Sequence, residues 1–212
     1  ATLTPSVEEK AAIYEAASKK TTSWVAHNNL AAAYIAQAVE NPSNATSLIE
    51  KAQAQLDLSQ KIQASAEASA NLASVALAKG NAAAALKHAD DGLNGVKSAA
   101  EIKKGNYAAA VSAASNAADN AINLYNKGLA QLLNKDYQNA LTSFNEAASK
   151  DADLAVAHYG AAIASARLDQ ATQTAEHLAK AVKIDPSLKE KALNDLEFTK
   201  YSATEAFRNA LK

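Results

Sequence analysis

Apolar residues recur every three or four positions along almost the whole chain, in runs of about twelve to sixteen residues separated by short polar breaks. That period is helical. A first helix is predicted from Ser6 to Ser18, opened by the capping-box spacing of Ser6 and Glu9 just after Pro5. A second runs from Ser23 to Val39 with Trp24, Leu30 and Tyr34. The third starts near Asn44, past the breaker Asn41-Pro42-Ser43, carries Leu48, Ile49 and Ala52, and would be capped by Asn44 or Ser43. Leu72, Val75 and Ala76 then precede the turn Lys79-Gly80-Asn81, with Ala85, Ala89 and Leu93 after it. The helix after that turn is expected to end near Asn94-Gly95, with Gly95 as a left-handed cap. A related turn at Lys104-Gly105-Asn106-Tyr107 follows too soon after the first for two helices of ordinary length, so the helix from Gly95 to Lys103 must be short. Ile122 to Leu133 pairs with Tyr137 to Ala148 across Asn134-Lys135-Asp136, and Leu154 to Leu168 with Ala171 to Ile184 across Asp169-Gln170. Asp185-Pro186 ends the last of these.

A longer period lies over the helical one. Ala147 recurs as Ala181, Phe144 as Leu178, Tyr125 as Tyr159 and Asp151 as Asp185. The shared interval, about 34 residues, belongs to paired helices stacked as an array. The expected fold is all-α, an α-solenoid of antiparallel hairpins. Residues 1–212 are read as a single repeat domain of about five hairpins, with 6–20 as a partial N-terminal repeat and 187–212 as capping helices over the last apolar face. About a quarter of the residues are Ala, with six Gly and three Pro, which favours helices and close helix contacts and leaves little for strands.

At this point the residues resemble the tetratricopeptide repeat family. Leu124, Gly128, Tyr137, Ala140, Phe144 and Ala147 match one repeat of its pattern, and Ala162, Leu178, Ala181 and Pro186 the next. Leu72, Ala73, Gly80, Ala85 and Leu93 match another. Leu30, Ala31, Tyr34, Ala45, Ile49 and Ala52 fit with two residues inserted at the turn, and Gly105, Tyr107, Ala110 and Ala117 keep only part of the pattern. The resemblance implies a right-handed solenoid whose first helices line a concave face. Asn29, Asn71 and Asn126 share one repeat position there, and in peptide-binding members an Asn at that position contacts the ligand backbone, so the resemblance implies that role for all three. Tyr125 and Tyr159 recur one position earlier, with Leu129, Leu132, Ile163 and Arg167 nearby on the inner face; Tyr suits a recognition surface and equally suits packing between repeats. The family's clamp for a C-terminal carboxylate uses first-helix Lys and Arg, and the corresponding positions here hold Asn28, Ala32, Ala70 and Glu67, so that mode is disfavoured.

Chemistry changes this picture little. The net charge of -1, with both signs interspersed, offers no footprint for nucleic acid, and no apolar run approaches the roughly 18 residues of a membrane span. None of His27, His88, His158 and His177 forms a metal-binding pair in sequence, and with no Cys the chain has neither disulfides nor thiol chemistry. No metal or cofactor is expected. Nucleophile-elbow and phosphate-loop motifs are absent, and the pairs Glu8-Glu9 and Asp90-Asp91 read as solvated acids rather than a catalytic couple. Asn44-Ala45-Thr46 is a glycosylation sequon that chance explains. The expectation is a non-enzymatic scaffold binding a protein or extended peptide through its concave face. The alternative is a spacer or assembly element of a larger cell-envelope protein, because Ser6 to Ser18 looks like the second half of a repeat lacking its first half. The chain has no Met, so it reads as a processed or excised piece. The stretch from Ala192 to Phe198 resembles the closing segment of exported repeat proteins of Bacteroidetes-type bacteria, which points to periplasm or envelope rather than cytoplasm. Oligomeric state is left open.

Overall fold

A computed structural model of the protein describes residues 5–89 and 92–212. Among them every regular element is helical: α1 (Val7–Ser18), α2 (Trp24–Glu40), α3 (Ala45–Ile62), α4 (Ala66–Ala78), α5 (Ala82–His88), α6 (Asn94–Lys104), α7 (Tyr107–Ser115), α8 (Ala121–Leu133), α9 (Tyr137–Lys150), α10 (Ala155–Arg167), α11 (Ala171–Ile184), α12 (Leu188–Asn194) and α13 (Glu205–Ala210), with 3-10 turns at Pro42–Asn44 and Leu196–Tyr201. The chain is an all-α helical repeat. It divides into two compact units, Ala1–Lys103 and Lys104–Lys212.

In the first unit, α1 opens on the anticipated capping box: the Ser6 amide donates to Glu9 Oε2 at 2.8 Å and the Glu9 amide to Ser6 Oγ at 3.2 Å. The core between α2, α3 and α4 is built on Ala31, Ala52 and Ala68, whose lack of bulk lets the helices close around Ile49, Leu56, Leu72 and Val75. Ser59 Oγ donates to the Trp24 carbonyl at 3.0 Å, tying the end of α3 to the start of α2. Ala76, Ala82, Ala85 and Ala100 then join α4, α5 and α6.

Two local expectations are corrected here. Asn44 makes no capping bond to α3; residues 42–44 wind into a 3-10 turn instead, and Ser43 Oγ donates to Asn41 Oδ1 at 2.7 Å. The helix after Gly80 does not run to Asn94-Gly95. It stops at His88, where Ala89 turns extended, and Gly95 sits in the first turn of α6. That next helix has already begun by then, because the Lys97 amide donates to the Leu93 carbonyl at 2.9 Å. The pair Asp90-Asp91 lies outside the described residues.

In the second unit, the hairpins α8/α9 and α10/α11 pack on each other around Phe144, which has no exposed surface. Beyond them the apolar face of α10 and α11 is buried by the chain's own C-terminal stretch: Phe198, Tyr201, Phe207 and Leu211 pack with Tyr159, Ala162, Ala166, Leu178 and Ala181. Leu188 starts α12 one full repeat after Leu154, so the repeat spacing continues into this stretch. The helix then breaks, for Leu188 to Tyr201 is not one element: α12 ends at Asn194, and the Asp195 carboxylate caps the following 3-10 turn through the Glu197 amide.

Candidate functional site

Side chains three and four apart share a face of a helix. On α8 that face presents Tyr125, Leu129 and Leu132, and on α10 it presents Val156, Tyr159, Gly160 and Ile163. With Leu188 and Lys191 of α12, and Asp195 just beyond it, these residues line a cavity of about 180 Å³. Its floor is the Phe144 ring. The ring lies against two glycines, since a β-carbon at Gly160 would stand 2.6 Å from Phe144 Cε1 and one at Gly128 2.8 Å from Cδ1. Tyr125 leans on the same ring with centroids 5.8 Å apart. Aliphatic side chains and two phenols therefore surround a floor that only missing side chains make possible.

The rim is polar. Tyr159 is almost completely buried; its hydroxyl donates to Asp195 Oδ2 at 2.8 Å and its ring meets Phe198 edge-on at 5.7 Å. Burial, together with the bond to Asp195 and that carboxylate's charge, pushes the Tyr159 phenol well above its ordinary range, so it stays a neutral donor. Burial alone pushes Tyr125 up as well. Lys191 Nζ stands 4.7 Å over the Tyr159 ring, a cation-π contact. Each Asp195 oxygen accepts one hydrogen bond, the other oxygen from the Glu197 amide at 3.0 Å. Along α10 the C-terminal stretch is held by the Arg167–Glu197 and Asp169–Lys200 ion pairs and by the Tyr201 hydroxyl, which donates to the Ala166 carbonyl at 3.2 Å.

Of the residues singled out from sequence, Tyr125 and Tyr159 meet at this cavity with Leu129, Leu132 and Ile163. Arg167 is not in its lining; it is exposed, paired with Glu197 and 5.9 Å over the Tyr137 ring. Asn126 is half-buried on α8, outside that lining. In the first unit the Asn71 amide is already used, donating to Oδ1 of buried Asn28 at 2.9 Å. Asn29 faces a separate cavity of about 270 Å³ with Val7, Lys10 and Tyr14 of α1 and Ala32, Ala33 and Ala36 of α2. Gly160, Lys191 and Asp195 are not among the residues that sequence reasoning picks out. The continued spacing from Leu154 to Leu188 is the signal that α12 adds a third wall.

Elsewhere, His27 Nδ1 sits 2.7 Å from Gln55 Oε1. His158 and His177 stack at 6.1 Å between α10 and α11, each with a buried Nδ1 that has no protein partner. Among the described residues no group of three or more His, Cys, Asp or Glu is placed to hold a metal ion, and no helix is long and apolar enough to cross a membrane.

Small residues at hairpin crossings and the recurrent spacing of paired helices define a tetratricopeptide-repeat fold, and solved structures agree. The C-terminal part of a TPR repeat-containing protein from Cytophaga hutchinsonii is similar over 96% of this chain and 87% of its own, at 16% identity and a TM-score of 0.60. A chain of the APC/C hetero-tetramer Cut9-Hcn1 is similar over 97% of this chain and 40% of its own, at 15% identity and a TM-score of 0.75. No protein-family model matches the chain, and no curated protein sequence does.

Proposed function

We propose that this protein is a non-enzymatic binding module that holds an extended segment of another protein against its first-helix faces. The supporting observation is the cavity between Tyr125 and Tyr159, an apolar pocket with a polar rim on a scaffold of packed helices. One large apolar side chain buried there contributes about 1.5–3 kcal/mol, enough for an anchor but not for tight binding on its own. In this reading the Asn126 amide is a further contact in the second unit, the Asn29 amide belongs to the separate cavity of the first unit, and Asn71 acts by holding Asn28. The solved structures of similar fold come from a TPR repeat-containing protein and from a hetero-tetramer, which accords with a scaffold. The compartment proposed is the bacterial envelope, which fractionation of the native host tests.

Panning a random peptide display library on the full chain tests the module. Specific peptides are expected, with capture reduced about tenfold or more by Tyr125→Ala and by Val156→Lys, a rim change on an exposed position. Absence of specific peptides, or peptides indifferent to both changes in chains whose circular dichroism is unaltered, removes this function.

A second reading, a spacer or assembly element, draws on α1, where Ile13 is 58% exposed. Sedimentation analysis decides it: self-association abolished by Ile13→Glu supports the spacer, and a monomer at all concentrations argues against it.

A further inference from the structure

We infer that the segment held in the α8/α10/α12 groove carries one large apolar side chain with an acidic residue within two positions of it. This rests on the proposed peptide-binding function and adds the chemistry of the partner. Size comes first. A cavity of about 180 Å³ is smaller than the roughly 300–1,000 Å³ of a small-molecule site, and it matches a single Leu, Met or Phe side chain. Its walls, Leu129, Leu132, Ile163 and Leu188, offer such a side chain only apolar contact, and Phe144, itself without exposed surface, closes the hole beneath them.

Charge then selects what flanks the anchor. Two ionisable groups of opposite sign stand at the rim, Lys191 and Asp195. Asp195 accepts from the Tyr159 hydroxyl with one oxygen and from the Glu197 amide with the other, so both are engaged within the chain. Lys191 has no ion pair among the described residues; its ammonium rests on the Tyr159 ring, which removes part of its water without neutralising it. The charges at the end of α10 and in the turn after it are also paired, Arg167 with Glu197 and Asp169 with Lys200. What the groove offers an incoming chain is therefore an ammonium without an ion pair beside an apolar hole, next to a carboxylate that keeps its charge but whose two oxygens already accept hydrogen bonds within the chain. A carboxylate next to the anchor gains from that ammonium, whereas a Lys or Arg in the same place is repelled, so the rim both attracts and excludes. Tyr125, only partly buried, supplies the opposite lip.

The test is the same peptide library panned in parallel on the full-length wild-type chain and on Lys191→Glu. Lys191 is exposed, so the change leaves packing intact, and Lys191→Arg serves as the conservative control. The expected result is that wild type and Lys191→Arg select peptides with Leu, Met or Phe near Asp or Glu, while Lys191→Glu keeps the apolar anchor and selects Lys or Arg beside it. For a selected peptide, replacing the acidic residue by its amide should weaken binding to wild type about threefold, the range of a partly exposed ion pair, and should strengthen rather than weaken binding to Lys191→Glu, where the acid faces a like charge. Apolar anchors with no charge preference, or a preference unmoved by Lys191→Glu, would overturn this inference and leave the binding module standing. Failure to select any peptide sensitive to Tyr125→Ala and Val156→Lys would remove both.

Discussion

Phe144 shows how one side chain can fix the geometry of two hairpins. Its ring fills the gap left by Gly128 on α8 and Gly160 on α10, and it has no exposed surface through which to escape. A methyl at Gly160 would stand 2.6 Å from the ring, which is too close, so either the ring or α10 must move. Such overpacking costs about 1–3 kcal/mol, and the better helix propensity of Ala returns at most about 1 kcal/mol. Gly160→Ala should therefore destabilise the chain by about 1–2 kcal/mol in urea unfolding. Combined with Phe144→Leu, the loss should fall short of the sum of the two single changes by about 1 kcal/mol or more; strict additivity would show that the contact does not matter. Gly128 is legible in the sequence because it stands at a repeat position. Gly160 is not, because the position one full repeat after Gly128 is Ala162, and only the placement of the ring reveals that the two glycines serve the same purpose.

Between helices, four turns share one backbone solution. Gly80 and Gly105 take φ of 75° and 79°, and Lys135 and Asp169 take 65° and 59° in the same place. The amide that follows this left-handed residue bonds back across the turn, Asn81 to Ala76, Asp136 to Gln131 and Gln170 to Ser165, at 2.8, 2.8 and 2.9 Å. Polar breaks in the sequence mark where these turns lie, but a Lys at Lys135 gives no sign of left-handed backbone, which costs a non-glycine residue about 1–2 kcal/mol. Lys135→Gly should thus raise stability by about 0.5–1 kcal/mol, after the greater freedom of Gly in the unfolded chain is set against the relief. Gly80→Ala, with nothing within 4 Å of the added carbon, should lower it by about 1 kcal/mol for backbone reasons alone. Matched denaturation curves check both, and a loss at Lys135→Gly would contradict the account. Helix ends are less legible than turns. The early stop of α5 and the break after Asn194 depend on which backbone groups find partners, and apolar spacing carries no record of that.

At the scale of the molecule, the division between the two units falls in α6, where the repeat spacing shortens between Gly80 and Gly105. Acid should act on the second unit through a feature hidden from sequence, because His158 and His177 lie on different helices and only the α10/α11 crossing stacks them. Burial, then the neighbouring His158 and Lys180, hold His177 down to about 4; burial and Lys180 lower His158 as well. Both imidazoles are thus neutral in the folded chain at pH 7, while the unfolded chain binds their protons near pH 6.5. Over that interval the unfolded state holds more protons, so their contribution to stability is whole above about pH 6.5. It is lost as the pH falls to about 4, below which His177 adds nothing further. A shift of this size corresponds to roughly 3 kcal/mol, but the ring is only half-buried, and screening by solvent reduces the expected loss to about 1–2 kcal/mol. Amide resonances of α10 and α11 should report the loosening between about pH 6 and 4, and His177→Leu should flatten the stability profile across that range. A profile equally steep in His177→Leu would place the acid sensitivity in other groups.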